Sequence, residues 1–307
     1  MKVGLIDVDG HNFPSLPLMK LSAYHKRRGD SVEIQMPHTH YDIVYKSKVF
    51  DFTPEKDEPI FADCIIEGGT GYSLQATLPP EVESIPPDYS LYPQYDEAYG
   101  FLTRGCPNAC PFCIVTQKEG AASVQVSEIK DFCTGQKTIK LLDPNLLACV
   151  DREQILQDLA EAGAWVDFTQ GLDVRLIDKE VIQLLNKIKV KIVHFAWDNP
   201  GEDLTAQFRL FDKYSALTHY TRRAVYILTN YNSTHAEDLR RVYTLRDMGF
   251  NPYVMIYDKQ NAPKQTIDLQ RWVNARQAFR TVERFEDYKP PTKAAARDER
   301  QLSLFDV

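Results

Sequence analysis

Hydrophobic and polar positions along this chain switch repeatedly between a strand-like and a helix-like rhythm. Residues 3–8 form a short apolar run suited to a buried strand, followed by a polar turn at Asp9-Gly10-His11-Asn12. Over residues 16–28 the apolar positions recur at helical spacing and stop at Gly29, which suits a left-handed C-terminal cap. Three more short strands are predicted at 31–35, 41–45 and 63–67, the last running into Gly68-Gly69. Strand-helix-strand order of this kind predicts a Rossmann-like parallel sheet over residues 1–78. A stretch with Pro79, Pro80, Pro86, Pro87 and Pro93 then breaks the rhythm and reads as a linker over 79–95.

Beyond the linker the alternation becomes regular. Strands are predicted at 98–103, 138–142, 166–170, 191–196, 224–228 and 252–256. Amphipathic helices are predicted between or after them at 127–133, 152–162, 178–187, 204–217, 236–248 and 266–279. Six strand-helix units over residues 96–288 favour an α/β fold of partial (β/α)6-barrel type over an open doubly wound sheet. In either arrangement, functional groups belong just past the C-terminal ends of the strands. The closing segment, 289–307, is charged and alanine-rich and reads as a mobile tail.

Composition narrows the class. At 307 residues, 43% hydrophobic and 26% charged, the chain has the make-up of an ordinary soluble globular protein. It contains no apolar run near the ~18–20 residues of a membrane helix, and its start reads as a strand, not a secretory signal. A net charge of −7 argues against a generally basic nucleic-acid surface. Six cysteines are too few for a disulfide scaffold, and three of them fall within eight positions, which fits metal binding in a reducing compartment. A cytoplasmic protein is expected.

Those three are the most informative residues of the chain: Cys106-Pro107-Asn108-Ala109-Cys110-Pro111-Phe112-Cys113. The spacing CxxxCxxC offers three thiolates from one loop, whereas structural zinc and simple electron-transfer clusters take four protein ligands. Either a distant Cys or His completes a zinc knuckle, or a four-iron cube keeps one iron open. Cys64, Cys133 and Cys149 lack cluster spacing and read as small hydrophobic residues.

The run from Tyr99 through Thr103-Arg104-Gly105 to Cys113 resembles the signature of the radical S-adenosylmethionine (radical SAM) enzymes. That signature is CxxxCxΦC with an aromatic at Φ, here Phe112, often preceded by Arg-Gly. The resemblance spans about two thirds of the chain and implies a cluster loop after the first strand of a partial barrel. It further implies that Cys106, Cys110 and Cys113 hold three irons of a [4Fe–4S] cluster, with S-adenosylmethionine (SAM) chelating the fourth. One electron, from a donor such as flavodoxin or ferredoxin, would then release methionine and a 5′-deoxyadenosyl radical that abstracts hydrogen from a substrate.

Candidate SAM-binding residues are Phe112 and the polar groups at predicted strand ends: Asp143 and Asn145, Gln170 and Arg175, and Asp198. The family often carries Gly-Gly-Glu after its second strand and Glu-Ser after its fourth; this chain has Leu142-Asp143-Pro144-Asn145 and Trp197-Asp198-Asn199 instead. Each such Asp or Asn is equally explained as a helix cap or turn residue. The front segment resembles the cobalamin-binding domain that precedes many radical SAM cores, with Asp9-Gly10-His11-Asn12-Phe13-Pro14 at the place of Asp-x-His-x-x-Gly. A true match would make His11 the lower cobalt ligand. Pro14 replaces the expected glycine, and a lone loop His is more often a turn residue, so a scaffold role is preferred.

The final residues, Gln301-Leu302-Ser303-Leu304-Phe305, resemble the QLxLF peptide that holds the bacterial sliding clamp, an apolar tail packing back on the barrel being the alternative. Arginines and aromatics from Arg271 to Phe285 suit either single-stranded nucleic acid or, preferably, an amphipathic helix closing the barrel. The chain is thus read as a radical SAM enzyme of unknown substrate. The alternative is a non-catalytic iron-sulfur or zinc adaptor recruited to the clamp by its tail.

Overall fold

The computed structural model describes residues 1–10, 13–55 and 58–290. His11, Gln301, Leu302, Leu304 and Phe305 lie outside the described residues. The front unit comprises β1 (Lys2–Asp7), α1 (Leu16–Arg27), β2 (Ser31–Ile34), β3 (His40–Ser47) and β4 (Phe61–Gly68). Its four strands form a parallel sheet in the order β2-β1-β3-β4. Helix α1 begins on Pro17 in its first turn, where a missing N–H is harmless, and ends before Gly29 at φ +82°. It buries Leu18 and Leu21 against Val3 and Leu5.

The proline-rich segment is ordered. It contains the one-turn helix α2 (Pro80–Glu83), whose Val82 is 2% exposed in the front core. Tyr92 donates to Asp7 Oδ2 at 2.9 Å, Asp88 accepts Lys26 at 2.6 Å, and the Tyr89 hydroxyl accepts from Tyr99 N at 3.0 Å. The segment therefore braces the end of β1 against the first strand of the next unit.

That unit opens with β5 (Ala98–Gly100), β6 (Thr103–Arg104), the short α3 (Val115–Glu119) and β7 (Val124–Gln125). There follow β8 (Thr138–Leu141), α4 (Arg152–Ala162), β9 (Trp165–Phe168), α5 (Lys179–Leu185) and β10 (Lys189–Ala196). The chain continues through α6 (Thr205–Tyr214), β11 (Arg223–Thr229), α7 (His235–Asp247), β12 (Asn251–Ile256), α8 (Lys264–Asn274) and α9 (Arg276–Thr281). Strands β5, β8, β9, β10, β11 and β12 make one parallel sheet in sequence order. Consecutive order means winding in one direction, as in barrels, without the reversal of a doubly wound sheet. Strands β5 and β12 stand at its two edges.

One face carries the core. Ile139, Leu141, Val166, Phe168, Val193, Phe195, Val225, Ile227 and Val254 pack with Phe208, Phe211, Leu245 and Trp272 of the helices, all nearly inaccessible to solvent. The alternate positions, among them Lys140, Asp167, His194 and Tyr226, face the other way.

Three predicted elements differ in detail. The strand at 98–103 breaks in two because the Leu102 and Thr103 amides are drawn to Asp143 instead of a neighbouring strand. The helix at 127–133 is reduced to a 3-10 turn, Ile129–Asp131, closed by a reciprocal cap between Glu128 and Asp131. The helix at 266–279 divides at Ala275, next to Asn274, whose side chain leaves the helix surface to bond Val254 N at 2.8 Å and Val254 O at 3.0 Å.

Candidate functional site

The cysteine segment is the loop of a β-hairpin that rises just past β5. Strands β6 and β7 pair antiparallel and close its base, Arg104 opposite Val124. Cys106 N donates to Gly120 O at 3.1 Å, and Arg104 forks onto Glu119 at 2.8 and 2.9 Å. Gly105 has φ +88°, and a Cβ there would meet Ala122 O at 2.0 Å, so no other residue fits before Cys106. The glycine of the Arg-Gly pair is thus a structural necessity of the hairpin, and Arg104 braces it through Glu119.

Asp143, just past β8, sets the entry of this hairpin. Its carboxylate accepts from Leu102 N at 3.1 Å, Thr103 N at 2.5 Å and Thr103 Oγ1 at 2.7 Å. Burial pushes its pKa up to about 6, against the pull of the Thr103 and Leu102 donors. In the chain alone this side chain is occupied by backbone, so Asp143 acts here as a clamp on the loop.

Asn145 has the central place. It is 2% exposed, and its Nδ2 lies 3.5 Å from Cys106 Sγ and 3.2 Å from Asp173 Oδ2. Its Oδ1 is buried without a partner. Asp173 also accepts from Asn108 of the cysteine loop at 2.9 Å and from two nitrogens of Arg175 at 2.8 and 2.9 Å. Burial raises the Asp173 pKa, but the hydrogen bonds from Arg175 and Asn108 outweigh it and hold the carboxyl below its ordinary value. The Cys110 thiol is pushed up by burial and then by the neighbouring Cys113 and Cys106, with Arg175 opposing. The three cysteines are therefore within electrostatic reach of one another. Among the described residues, no group of three or more His, Cys, Asp or Glu is gathered so as to hold a metal ion.

Other predicted residues fall at the same rim. Asp198, past β10, accepts from Leu228 N at 3.0 Å, and burial raises its pKa despite Leu228, Arg241 and Arg175. Phe112 packs edge-on to Tyr231 at 5.4 Å, and Tyr231 to Tyr257 at 4.8 Å. Gln170 is exposed past β9. Cys149 is buried among core side chains, Cys133 is partly buried, and Cys64 is exposed on β4.

Sequence reasoning missed Asp173, Tyr231 and Tyr257 as members of this rim. Asp173 stands between Gln170 and Arg175, Tyr257 directly follows β12 and Tyr231 comes two residues after β11, so position past a strand is the available signal. The polar inner face of the sheet was missed altogether. His194 on that face lies 3.7 Å from Asp167 Oδ1, but burial lowers its pKa to about 4 while raising that of Asp167 to about 6. Near neutrality the imidazole is uncharged, so the contact is not an ion pair.

No known family profile matches the chain, and no curated protein matches it in sequence. Among solved structures, the radical S-adenosylmethionine methyltransferase TsrM from Kitasatospora setae, with tryptophan substrate and a SAM analogue bound, is similar at a TM-score of 0.39. The two are 12% identical, over 82% of this chain and 67% of that one. This is a distant likeness in the course of the chain. Among the described residues, no helix is long and apolar enough to cross a membrane.

Proposed function

We propose that this chain is a radical SAM enzyme in which Cys106, Cys110 and Cys113 hold a [4Fe–4S] cluster and SAM takes the remaining iron. The observation that carries the reading is the setting of the cysteine hairpin: past the first strand of six strands wound in sequence, with Asn145 buried against Cys106. Among the described residues the three cysteines are not drawn together as metal ligands in the chain by itself, and the fit rests on Asn145. Asn145 Oδ1 is an acceptor with no partner in the chain, which suits a ligand that brings its own N–H donor, as the amino group of SAM does. Once bound, the cluster and SAM would supply one-electron cleavage and a hydrogen-abstracting radical.

The chain's own part is to position and shield. Asp143 fixes where the hairpin leaves the sheet. Asn145 Nδ2 donates toward Cys106 Sγ at 3.5 Å and so orients this side of the loop. Asp173 ties Asn108, Asn145 and Arg175 into one network that joins the loop to the segments past β8 and β9. Phe112, Tyr231 and Tyr257 form a chain of edge-on aromatic contacts that ties the cysteine loop to the segments past β11 and β12. A small flavoprotein or ferredoxin is the expected electron source, and clamp binding through Gln301, Leu302, Leu304 and Phe305 is kept as a proposal about the tail.

Anaerobic reconstitution with iron and sulfide, followed by dithionite and SAM, tests this. The expected result is a cluster absorbance near that of other [4Fe–4S] proteins and 5′-deoxyadenosine formation, both lost in Cys110→Ala. A stoichiometric zinc site with no SAM cleavage would instead establish the adaptor reading.

A further inference from the structure

The front sheet has a place where a ligand belongs, and the chain's own backbone fills it. In open parallel sheets, ligands enter the crevice past the C-terminal ends of the strands, at the point where the strand order reverses. In the order β2-β1-β3-β4 that point lies between β1 and β3. The segment whose sequence resembles a cobalamin-binding domain, Asp9 to Pro14, directly follows β1 and so leads to this crevice.

The ends of β1 and β3 are tied to one another. Val8 N donates to Ser47 O at 3.0 Å, which carries the pairing one residue beyond β1. Asp9 then accepts from Val49 N at 2.5 Å, Phe50 N at 3.4 Å and Thr53 Oγ1 at 2.7 Å. The carboxylate that opens the cobalamin-like motif is thus taken up by the segment past β3. On the other side of that segment lies the turn past β4. Lys48 N donates to Gly68 O and Gly71 N to Lys48 O, both at 3.0 Å, and Thr70 Oγ1 donates to Val49 O at 2.6 Å.

The glycines of this turn are explained by the same contact. A Cβ at Gly69 would lie 2.2 Å from Lys48 O, and one at Gly71 would lie 2.9 Å from Phe50 O. Gly69 also has φ +98°, but Gly71 is not in the left-handed region, so close approach alone accounts for it. Ser47 and Lys48 are 4% and 8% exposed beneath the turn. Glu55 closes the far end, accepting from Lys46 at 2.8 Å, Lys48 at 3.3 Å and the Tyr72 hydroxyl at 3.1 Å. A ligand entering between β1 and β3 would have to pull Val49, Phe50 and Thr53 off Asp9 and lift Lys48 and Phe50 from the glycines. The crevice does not fit a cobalamin.

We propose that the front unit takes no cobalamin and that segment 48–55 is the permanent occupant of its ligand crevice, stitched to Asp9 on one side and to the Gly69–Gly71 turn on the other. This holds whether or not a cluster forms at the cysteine rim.

Hydroxocobalamin titrated into the full chain, followed by visible absorbance and gel filtration, is the direct test. The expected result is an unchanged cobalamin spectrum and no co-elution at about 100 μM of each. Co-elution of one equivalent, or a spectral shift on binding, overturns the proposal. Hydrogen exchange reads the occupant itself: the amides of Val49, Phe50 and Gly71 should exchange at least about tenfold more slowly than in an unstructured chain. Free exchange at all three would mean that the segment is not seated. Asp9→Ala should speed exchange at Val49 and Phe50 by about the same factor, and Gly71→Ala, whose added methyl presses on Phe50 O, should do so at Phe50. Unchanged rates in both variants contradict the stitching. Should either variant fail to fold, the titration and the exchange rates of the unaltered chain still decide.

Discussion

The two parallel sheets of this molecule leave opposite kinds of surface bare. In the front sheet the edge strand β4 shows apolar side chains on both sides, with Ile65 45% and Ile66 43% exposed although consecutive residues point to opposite faces. In the large sheet the face turned from the helices is lined by Lys140, Asp167, His194 and tyrosines. Parallel sheets are ordinarily covered on both faces, because their strands are apolar throughout. In the front sheet the cover supplied by α1 and α2 lies over β1, and β4 is left with bare apolar side chains. In the large sheet one face carries polar and aromatic groups instead, with Asp167 and His194 nearly inaccessible to solvent.

The comparison is most severely tested at a buried ion pair. Arg241 is wholly buried, donates to Trp197 O, Asp198 O and Leu228 O at 2.6, 3.0 and 3.0 Å, and pairs with Asp238 at 2.6 Å. Arg241→Ala strands a buried carboxylate and three carbonyls, and should destabilise the large unit by about 3–5 kcal/mol. Lys46→Ala in the front sheet breaks pairs with Glu55 and Glu67, both roughly 43–48% exposed, and should cost about 1 kcal/mol or less. Urea denaturation of both variants checks the contrast; equal losses would contradict it.

Next in size is the pH response of the inner face. Asp167 titrates near 6 when folded against 3.8 otherwise, so it subtracts stability as pH rises from about 4 to 6. His194 titrates near 4 against 6.5, so its contribution is present above 6.5 and lost as pH falls toward 4. The two slopes oppose each other over nearly one interval, with Lys140, Lys191 and Glu97 as the charges facing them. The displacement of either group, Asp167 from 3.8 to about 6 and His194 from 6.5 to about 4, corresponds to roughly 3 kcal/mol. His194→Gln should therefore lose stability, relative to the unaltered protein, as pH rises from 4 to 6. Asp167→Asn should lose it as pH falls from 6.5 to 4. Urea midpoints at pH 4.5 and 6.5 read both; slopes of the same sign would refute the assignment.

The smallest effect is expected at the bare edge. Ile66→Thr on β4 should change stability by no more than about 0.5 kcal/mol while reducing self-association at high concentration, measured by light scattering. A large destabilisation would mean that this strand is covered after all.

Much of this organisation is legible in the amino-acid order because local signals suffice for it. Gly29 ends α1, the 3.6-residue rhythm of 152–162 gives α4 with its predicted bounds, and the cysteine spacing marks the rim. What is not legible depends on register. Lys140, Asp167 and His194 are single polar residues within apolar strands, and nothing local says whether they meet solvent or one another. The parallel pairing that aligns Tyr99, Lys140 and Asp167 supplies that information. Asp143 shows the same limit at the site. An acidic residue past a strand invites a ligand reading, yet two amides and a hydroxyl from a segment some forty residues earlier fill its oxygens.

The proline-rich stretch has a consequence of its own. Composition gives it the look of slack rope, whereas Tyr89 and Tyr92 turn it into a bracket with a fixed throw between Asp7 and Tyr99. The two units are therefore mounted in series. The end of the first strand is tied by two phenols of one short segment to the strand beneath the cysteine hairpin, a joint made by side chains the prolines only hold in place.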